Sequence, residues 1–128
     1  MFRCEKMFRA LLSVMAVVAI YAEAAAVKQY SGKYDFIDTD KILSTDRLRD
    51  EYYDCFMETR PCVTADAKFF AGIFAEALVT KCLKCTDKQK IMVEKIVEWY
   101  TTNRDDQWKA MLTKALEDAK AAKSAATS

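Results

Sequence analysis

The 128-residue chain contains no histidine, two glycines and one proline. Without histidine there is no imidazole general base, no Ser-His or Cys-His dyad and no imidazole metal ligand. Gly32 and Gly72 are too few for a glycine-rich phosphate loop, and they supply few of the tight turns that an all-β fold needs. No nucleophile–base pair or carboxylate dyad stands out, so we expect neither an enzyme nor a cofactor. The five cysteines are an odd number and need an explanation.

Residues 1–26 have the three parts of a secretory signal peptide. Three basic residues precede an uncharged, mostly apolar run of 12 residues, and small residues then offer cleavage after Ala24 or Ala26. The run is shorter than the roughly 20 residues that span a membrane, and no later stretch reaches that length. We predict cleavage rather than an uncleaved signal anchor, translation from Met1 or Met7, and a secreted, extracellular protein.

Cleavage changes the charge and the cysteine count of the chain. The segment removes three of the 20 basic residues and two of the 19 acidic ones, which leaves 17 of each. A net charge of zero does not suit nucleic acid, which attracts clustered positive charge. Cys4 is also removed, so four cysteines remain in an oxidising compartment.

The rest of the chain reads as an all-α bundle. Apolar residues recur at helical spacing, and no run alternates convincingly with the period of two that marks a strand. The predicted helices cover 41–44, 47–57, a segment that begins at Asp66, 87–101, and a segment that contains Trp108. A turn at 58–62 surrounds Pro61, and 103–106 is a polar break.

Helix-capping residues stand before the predicted helices. Asp38 or Asp40 can cap the first, Thr45-Asp46 the second and Thr86 the fourth. One helical domain is therefore expected over 27–117. The Ala/Lys-rich tail at 118–128 can extend the last helix, but it has no apolar face to bury and should fray.

The four retained cysteines form two closely spaced pairs, Cys55-x6-Cys62 and Cys82-x2-Cys85. In a secreted chain four cysteines indicate two disulfides, and sequence arithmetic allows three pairings. A zinc site with four cysteine ligands is an alternative, but the spacing between Cys55 and Cys62 is long and the compartment is oxidising. A thioredoxin-like redox pair should adjoin a βαβ pattern, and none is present.

Several segments of this chain together resemble the insect chemosensory proteins, also known by olfactory-segment and ejaculatory-bulb names. They are YDFIDTDKIL at 34–43, DRLRDEYYDCF at 46–56, RPC at 60–62, EALVTKCLKCTDKQK at 76–90 and DQWKAM at 106–111. The cysteine spacing combined with KCLKCTDKQK is specific, whereas the helical pattern alone is not. The family's usual ending is absent, and residues 115–128 stand in its place.

The resemblance implies a compact bundle of about six helices around an apolar channel. It also implies the sequential disulfides Cys55–Cys62 and Cys82–Cys85. Members of this family are secreted carriers of small hydrophobic molecules such as fatty-acid derivatives, odorants and pheromones. The implied partner is a small hydrophobic ligand, bound by a monomer without a membrane span.

The apolar faces of the predicted helices are wider than a small bundle can easily bury. This excess of apolar surface favours a pocket for a lipophilic ligand. The alternative is a purely structural role, in which the same side chains fill a solid core. For Trp108 three roles are open: core anchor, channel wall and exposed partner contact. The candidate ligand-binding residues are Tyr52, Phe56, Phe70, Ile73, Phe74, Ile96, Val97, Tyr100, Trp108 and Leu112.

Two charged clusters and one other class of function complete the hypotheses. The acidic cluster around Asp35, Asp38 and Asp40 lacks the ligand spacing and turn glycine of a calcium loop, so capping and solvation are preferred and no metal is expected. Lysines at 81, 84, 88 and 90 form a solvated face or, alternatively, attract a fatty-acid carboxylate. The other class is a secreted signalling or structural protein, which would act through a protein partner and have a filled core.

Overall fold

The computed structural model describes residues 27–127, so the predicted signal peptide at 1–26 lies outside the described residues. All regular structure in that part of the chain is helical, which confirms the all-α fold. None of the helices there combines the length and the apolar character needed to cross a membrane. In chain order they are α1 (Thr39–Ser44), α2 (Asp46–Phe56), α3 (Ala65–Val79), α4 (Asp87–Asn103) and α5 (Asp105–Thr127).

Side-chain caps fix where three of the helices begin. Asp38 and Thr64 accept hydrogen bonds from backbone N–H groups in the first turns of α1 and α3, at 3.1 and 3.3 Å. At α4 the hydroxyl of Thr86 accepts from the backbone N–H of Gln89, and the Gln89 side chain accepts from the backbone N–H of Thr86. This reciprocal pair satisfies two N–H groups that a helix start otherwise leaves without partners. Of the two caps considered for α1, Asp38 is the one used.

The polar break expected at 103–106 is a single residue, Arg104. Its N–H donates to the carbonyl of Tyr100 at 2.8 Å, and its carbonyl accepts from the N–H of Trp108 at 3.0 Å. Helix α5 therefore starts at Asp105 and runs on through the Ala/Lys-rich tail. Fraying of that tail stays a prediction.

Two short-range disulfides brace the connections on either side of α3, as expected. Cys55 and Cys62 join the end of α2 to the following loop, with Cα atoms 4.7 Å apart. Cys82 and Cys85 close the α3–α4 connection, with Cα atoms 4.9 Å apart. Both connections turn through left-handed backbone at non-glycine residues, at Glu58 beside the first disulfide and at Cys82 within the second. Tight turns are thus made despite the scarcity of glycine, in conformations that non-glycine residues rarely adopt.

The five helices pack around an interior space. Helix α5 packs along α3 and α4, while α1 contacts α2 and α4, and α2 contacts α3. The main buried cluster consists of Leu43, Tyr100, Trp108 and Met111. Three members of this cluster, Leu43, Tyr100 and Met111, form part of the boundary of the interior space.

Candidate functional site

The interior space is an apolar cavity of about 90 Å³. Residues from all five helices contribute to its wall, together with Ile37 before α1 and Cys85 of the second disulfide. Its lining consists of Ile37, Thr39, Ile42, Leu43, Arg49, Tyr52, Tyr53, Phe56, Phe70, Ile73, Phe74, Ala77, Cys85, Gln89, Met92, Val93, Ile96, Tyr100 and Met111.

Seven of the ten predicted ligand-binding residues lie together in this lining: Tyr52, Phe56, Phe70, Ile73, Phe74, Ile96 and Tyr100. The other three lie elsewhere. Val97 and Leu112 pack against the main buried cluster, and Trp108 is a member of it. Of the three roles considered for Trp108, its position in the core matches that of an anchor. A role for any of the ten in ligand binding stays a prediction.

Aromatic rings form a continuous wall along α2 and α3. The rings of Phe56 and Phe74 are stacked with centroids 4.9 Å apart, and Tyr52 meets Phe56 edge-on at 6.2 Å. Tyr53 of α2 stacks on Tyr100 of α4 with ring centroids 6.3 Å apart. Apart from Tyr100, these rings are only partly buried, so the wall keeps accessible apolar area that a solid core would have covered.

Arg49 is the charged residue that the sequence analysis missed. Arg49 lines the cavity, and only 6% of its surface is exposed. Its guanidinium donates to the Leu43 carbonyl and to Asp46, each at 2.9 Å, and lies 4.3 Å from the ring centroid of Trp99. The sequence spacing could have indicated this position. Arg49 precedes Tyr52 by three residues and therefore shares the apolar face of α2.

Gln89 is the second buried polar residue of the lining, at 2% exposure. Its amide N–H₂ donates to the Ser31 carbonyl at 2.9 Å and to Asp35 at 3.0 Å, while its oxygen takes part in the cap of α4. Thr86 donates to the other oxygen of Asp35 at 2.8 Å. Asp35 therefore holds the segment before α1 against α4.

Tyr52 is tied to α3 through a hydrogen bond from its hydroxyl to Asp66. Loss of water on burial, then this bond and the carboxylate charge, raise the pKa of Tyr52 well above its usual value. Burial also acts to raise the pKa of Asp66, but hydrogen bonds from Thr64 and Tyr52 outweigh it and hold that pKa below its usual value. The Tyr52 hydroxyl is consequently occupied by the protein itself.

The stacked Tyr53 and Tyr100 have hydroxyls without a hydrogen-bond partner among the residues that the structure describes. Burial raises the pKa of Tyr53, and the carboxylates of Asp106 and Asp54 raise it further. Burial raises the pKa of Tyr100 to about 12, with Arg49 acting in the opposite direction. Both phenols are therefore neutral at physiological pH and can donate or accept a hydrogen bond.

The chemistry available to this cavity is recognition of apolar molecules. Its wall is made mainly of aromatic and aliphatic side chains, and three of its polar groups, Arg49, Tyr52 and Gln89, are bound to other parts of the protein. Within 27–127, no three His, Cys, Asp or Glu residues come together in a geometry that could hold a metal ion.

Comparison with known proteins gives matches over most of the chain. The sequence profile of the insect pheromone-binding family, A10/OS-D, matches residues 30–123. The chain is 34% identical over 109 residues to Ejaculatory bulb-specific protein 3 of Drosophila melanogaster, covering 85% of this chain and 82% of that protein. It is 37% identical over 89 residues to Putative odorant-binding protein A10 of the same species, covering 70% of this chain and 57% of that protein.

A solved structure shows the same fold. It is that of a chemosensory protein in complex with bromo-dodecanol, with a TM-score of 0.65 and 29% sequence identity, covering 70% of this chain and 89% of the other. The family is one of binding proteins rather than of enzymes. The extent of the family match and of the curated relatives establishes that this chain belongs to the insect pheromone-binding family of the A10/OS-D type, that of the chemosensory proteins.

Proposed function

We propose that this protein is a secreted, monomeric carrier that binds small hydrophobic molecules in the cavity and releases them unchanged. The observation that carries the proposal is the convergence of partly buried aromatic and aliphatic side chains from several helices on one apolar space. Pockets for lipophilic ligands have this composition, with a few polar groups that orient the ligand. The related chemosensory protein whose structure contains bromo-dodecanol supports the same conclusion.

The volume of the cavity sets a condition on the proposal. At about 90 Å³ it is smaller than the roughly 150 Å³ engineered cavity that holds benzene. A long-chain ligand therefore requires the wall to move apart. The rings of Phe56, Phe70 and Phe74 are partly exposed, so a change of rotamer costs them less buried area than it would cost a fully buried side chain such as Met111.

The alternative of a protein that acts through a partner requires a filled core. The cavity counts against it, because a void forfeits the packing contacts that would otherwise stabilise the fold. A void is retained at a cost in stability, which a ligand can recover by filling it.

A displacement assay tests the proposal. A fluorescent apolar probe should bind the secreted protein saturably, and 1-dodecanol should displace it. Ile96→Asn places an amide in the cavity wall and should weaken probe binding about tenfold, since burying an unpaired amide costs about 1–3 kcal/mol. Ile91→Asn is the matched control on the same helix, because Ile91 is 51% exposed and outside the lining. Equal loss in both variants, or no saturable binding, would contradict the carrier function.

Secretion has its own test. Mass spectrometry of protein from the culture medium should show a mature N-terminus at Ala25 or Val27, because cleavage follows Ala24 or Ala26. A chain that still begins at Met1 or Met7 would contradict the prediction of a cleaved signal peptide.

A further inference from the structure

The connection between α3 and α4 presents apolar side chains to solvent. Leu83 is 62% exposed, and Val79, at the end of α3, is 43% exposed. The Cys82–Cys85 disulfide and left-handed backbone at Lys81 and Cys82 hold this turn in one shape. Single exposed apolar residues are common on protein surfaces, so the groups around Leu83 decide whether it has a role.

Lysines surround these apolar side chains. Lys81, Lys88 and Lys90 are exposed and form no ion pair in the part of the chain that the structure describes. The exposed carboxylate that lies among them in the sequence is that of Asp87. More cations than anions are therefore available to a partner at this end of the bundle.

Two other carboxylates near the connection are already bonded to the protein. Glu76 lies 3.0 Å from the ammonium of Lys84 and accepts a hydrogen bond from the Tyr30 hydroxyl at 2.7 Å. Asp35 accepts from the amide of Gln89 at 3.0 Å. These contacts hold both carboxylates within the scaffold, so they leave the exposed lysines unpaired.

The charges of the chain are separated rather than mixed. Residues 76–90 contain four lysines and two acidic residues, whereas residues 34–66 contain nine acidic and four basic residues. The backbone N–H of Tyr30 donates to the Lys84 carbonyl at 2.8 Å, which brings the segment that contains Lys28 to the connection. A chain with a predicted net charge of zero therefore has a basic end, which attracts anionic surfaces.

An anionic lipid bilayer matches this combination of positive charge and exposed apolar surface. Each lysine near an anionic membrane strengthens attachment about fivefold, and an apolar side chain beside it enters the boundary between headgroups and acyl chains. A protein partner is a poorer match, because a specific interface covers roughly 800 Å² on each side. Leu83 and Val79 supply only two exposed apolar side chains in a short turn.

We propose that the α3–α4 connection docks this protein on anionic membranes. Leu83 and Val79 enter the lipid, and Lys81, Lys88 and Lys90 face its headgroups. This docking goes beyond the proposed carrier function and does not depend on it.

The position of the connection relative to the cavity gives docking a consequence for cargo. Cys85 and Ala77 line the cavity and belong to the same buried cluster as Cys82. A docked molecule therefore holds this part of the cavity wall close to the lipid, from which a hydrophobic molecule can be taken up or into which it can be released.

Vesicle flotation tests the docking with the mature, secreted protein. Vesicles of phosphatidylcholine with phosphatidylserine should bind it at low salt, and vesicles of phosphatidylcholine alone should bind it about tenfold less. Raising the salt from about 0.1 M to about 1 M shortens the screening length from about 10 Å to about 3 Å, which should release most of the bound protein. Absence of binding to the anionic vesicles, or equal binding to both kinds, would overturn the proposal.

A charge variant locates the surface. Lys81→Gln with Lys88→Gln should lower the partition into anionic vesicles about 25-fold, because about fivefold is lost per lysine. Lys41→Gln with Lys120→Gln is the matched control, since both lysines are exposed, lie outside the connection and change the net charge equally. Equal losses in the two double variants would show attraction by net charge alone and overturn the proposal.

An apolar variant tests insertion. Leu83→Ala should lower binding to the same vesicles about tenfold, whereas Leu116→Ala should leave it unchanged, although Leu116 is 53% exposed on α5. All substituted residues are exposed, so the fold should persist, which circular dichroism verifies. None of them lines the cavity, so affinity for a fluorescent apolar probe should stay constant, which separates a failure of docking from a failure of the carrier function. Unchanged vesicle binding by folded Leu83→Ala would overturn insertion at this turn.

Discussion

Replacement of Ala77 by leucine distinguishes a true cavity from a filled core by the sign of its effect on stability. Ala77 is almost fully buried on α3 and lines the cavity. Leucine adds three carbons, which are worth about 2.4 kcal/mol if they enter the space. The lost rotamer freedom of leucine costs about 0.5–1 kcal/mol. We therefore expect a net stabilisation of about 1.5 kcal/mol, or a rise in Tm of about 6–12 °C for a domain of this size.

The same three carbons should weaken ligand binding. They take the place of three ligand carbons in the cavity, which removes about 2.4 kcal/mol of apolar burial from the complex. At about 1.4 kcal/mol per factor of ten, the affinity for an apolar probe should fall about 50-fold. The opposite changes in stability and affinity follow from one cause, since the new side chain occupies the place of the ligand.

Thermal unfolding followed by circular dichroism measures the first effect, and probe titration measures the second. Ala75→Leu is the matched control, because Ala75 lies on the same helix, is partly buried and does not line the cavity. In a filled core, Ala77→Leu would instead overpack and destabilise the protein by about 1–3 kcal/mol. A lower Tm with unchanged probe affinity would refute the reasoning.

Three further predictions concern the scaffold. Gly72→Ala should stabilise the protein by about 0.5–1 kcal/mol in a urea titration, because Gly72 lies inside α3 and an added Cβ meets nothing within 4 Å. A loss of stability would contradict the presence of open space beside Gly72. Gln89→Ala should lower the free energy of unfolding by about 3 kcal/mol, because three hydrogen bonds are lost at a buried site. An effect below 1 kcal/mol would show that the segment before α1 is held by other contacts. Burial, together with the hydrogen bond to Asp66 at Tyr52, raises the pKa values of Tyr52 and Tyr100 above 10.0. The stability that these two groups contribute is therefore complete below pH 10 and is lost as the pH rises above 10 through their raised pKa values. An unchanged urea midpoint between pH 8 and 11 would contradict this.

The helices and seven of the nineteen lining residues could be predicted from local pattern. Caps such as Thr86 are local signals, so the start of α4 is predicted correctly. The faces of α2 and α3 are set by helical spacing, and the predicted residues on these two helices, among them Phe56 and Phe74, do line the cavity. Spacing fixes a face without reference to the rest of the chain.

The choice between core and cavity wall could not be predicted where it depends on how helices cross. Val97, Trp108 and Leu112 lie on apolar faces of α4 and α5, but the packing of α5 against α3 and α4 places them in or against the buried cluster instead. Arg49 is the opposite case, because it was not predicted to line the cavity and does so. Its charge suggests an exposed position, yet Asp46, the Leu43 carbonyl and Trp99 supply the partners that make its burial tolerable.

The polar residues of the lining act mainly in folding, and this determines how the cavity can discriminate between ligands. Gln89 holds the segment before α1, Tyr52 holds α3, and Arg49 joins α1 to α2. Few hydrogen-bonding groups are left for a ligand, so affinity must come mainly from apolar area and shape. Each methylene then contributes only about 0.8 kcal/mol, whereas an unpaired charge costs far more. A site built in this way accepts neighbouring chain lengths and discriminates most strongly by charge.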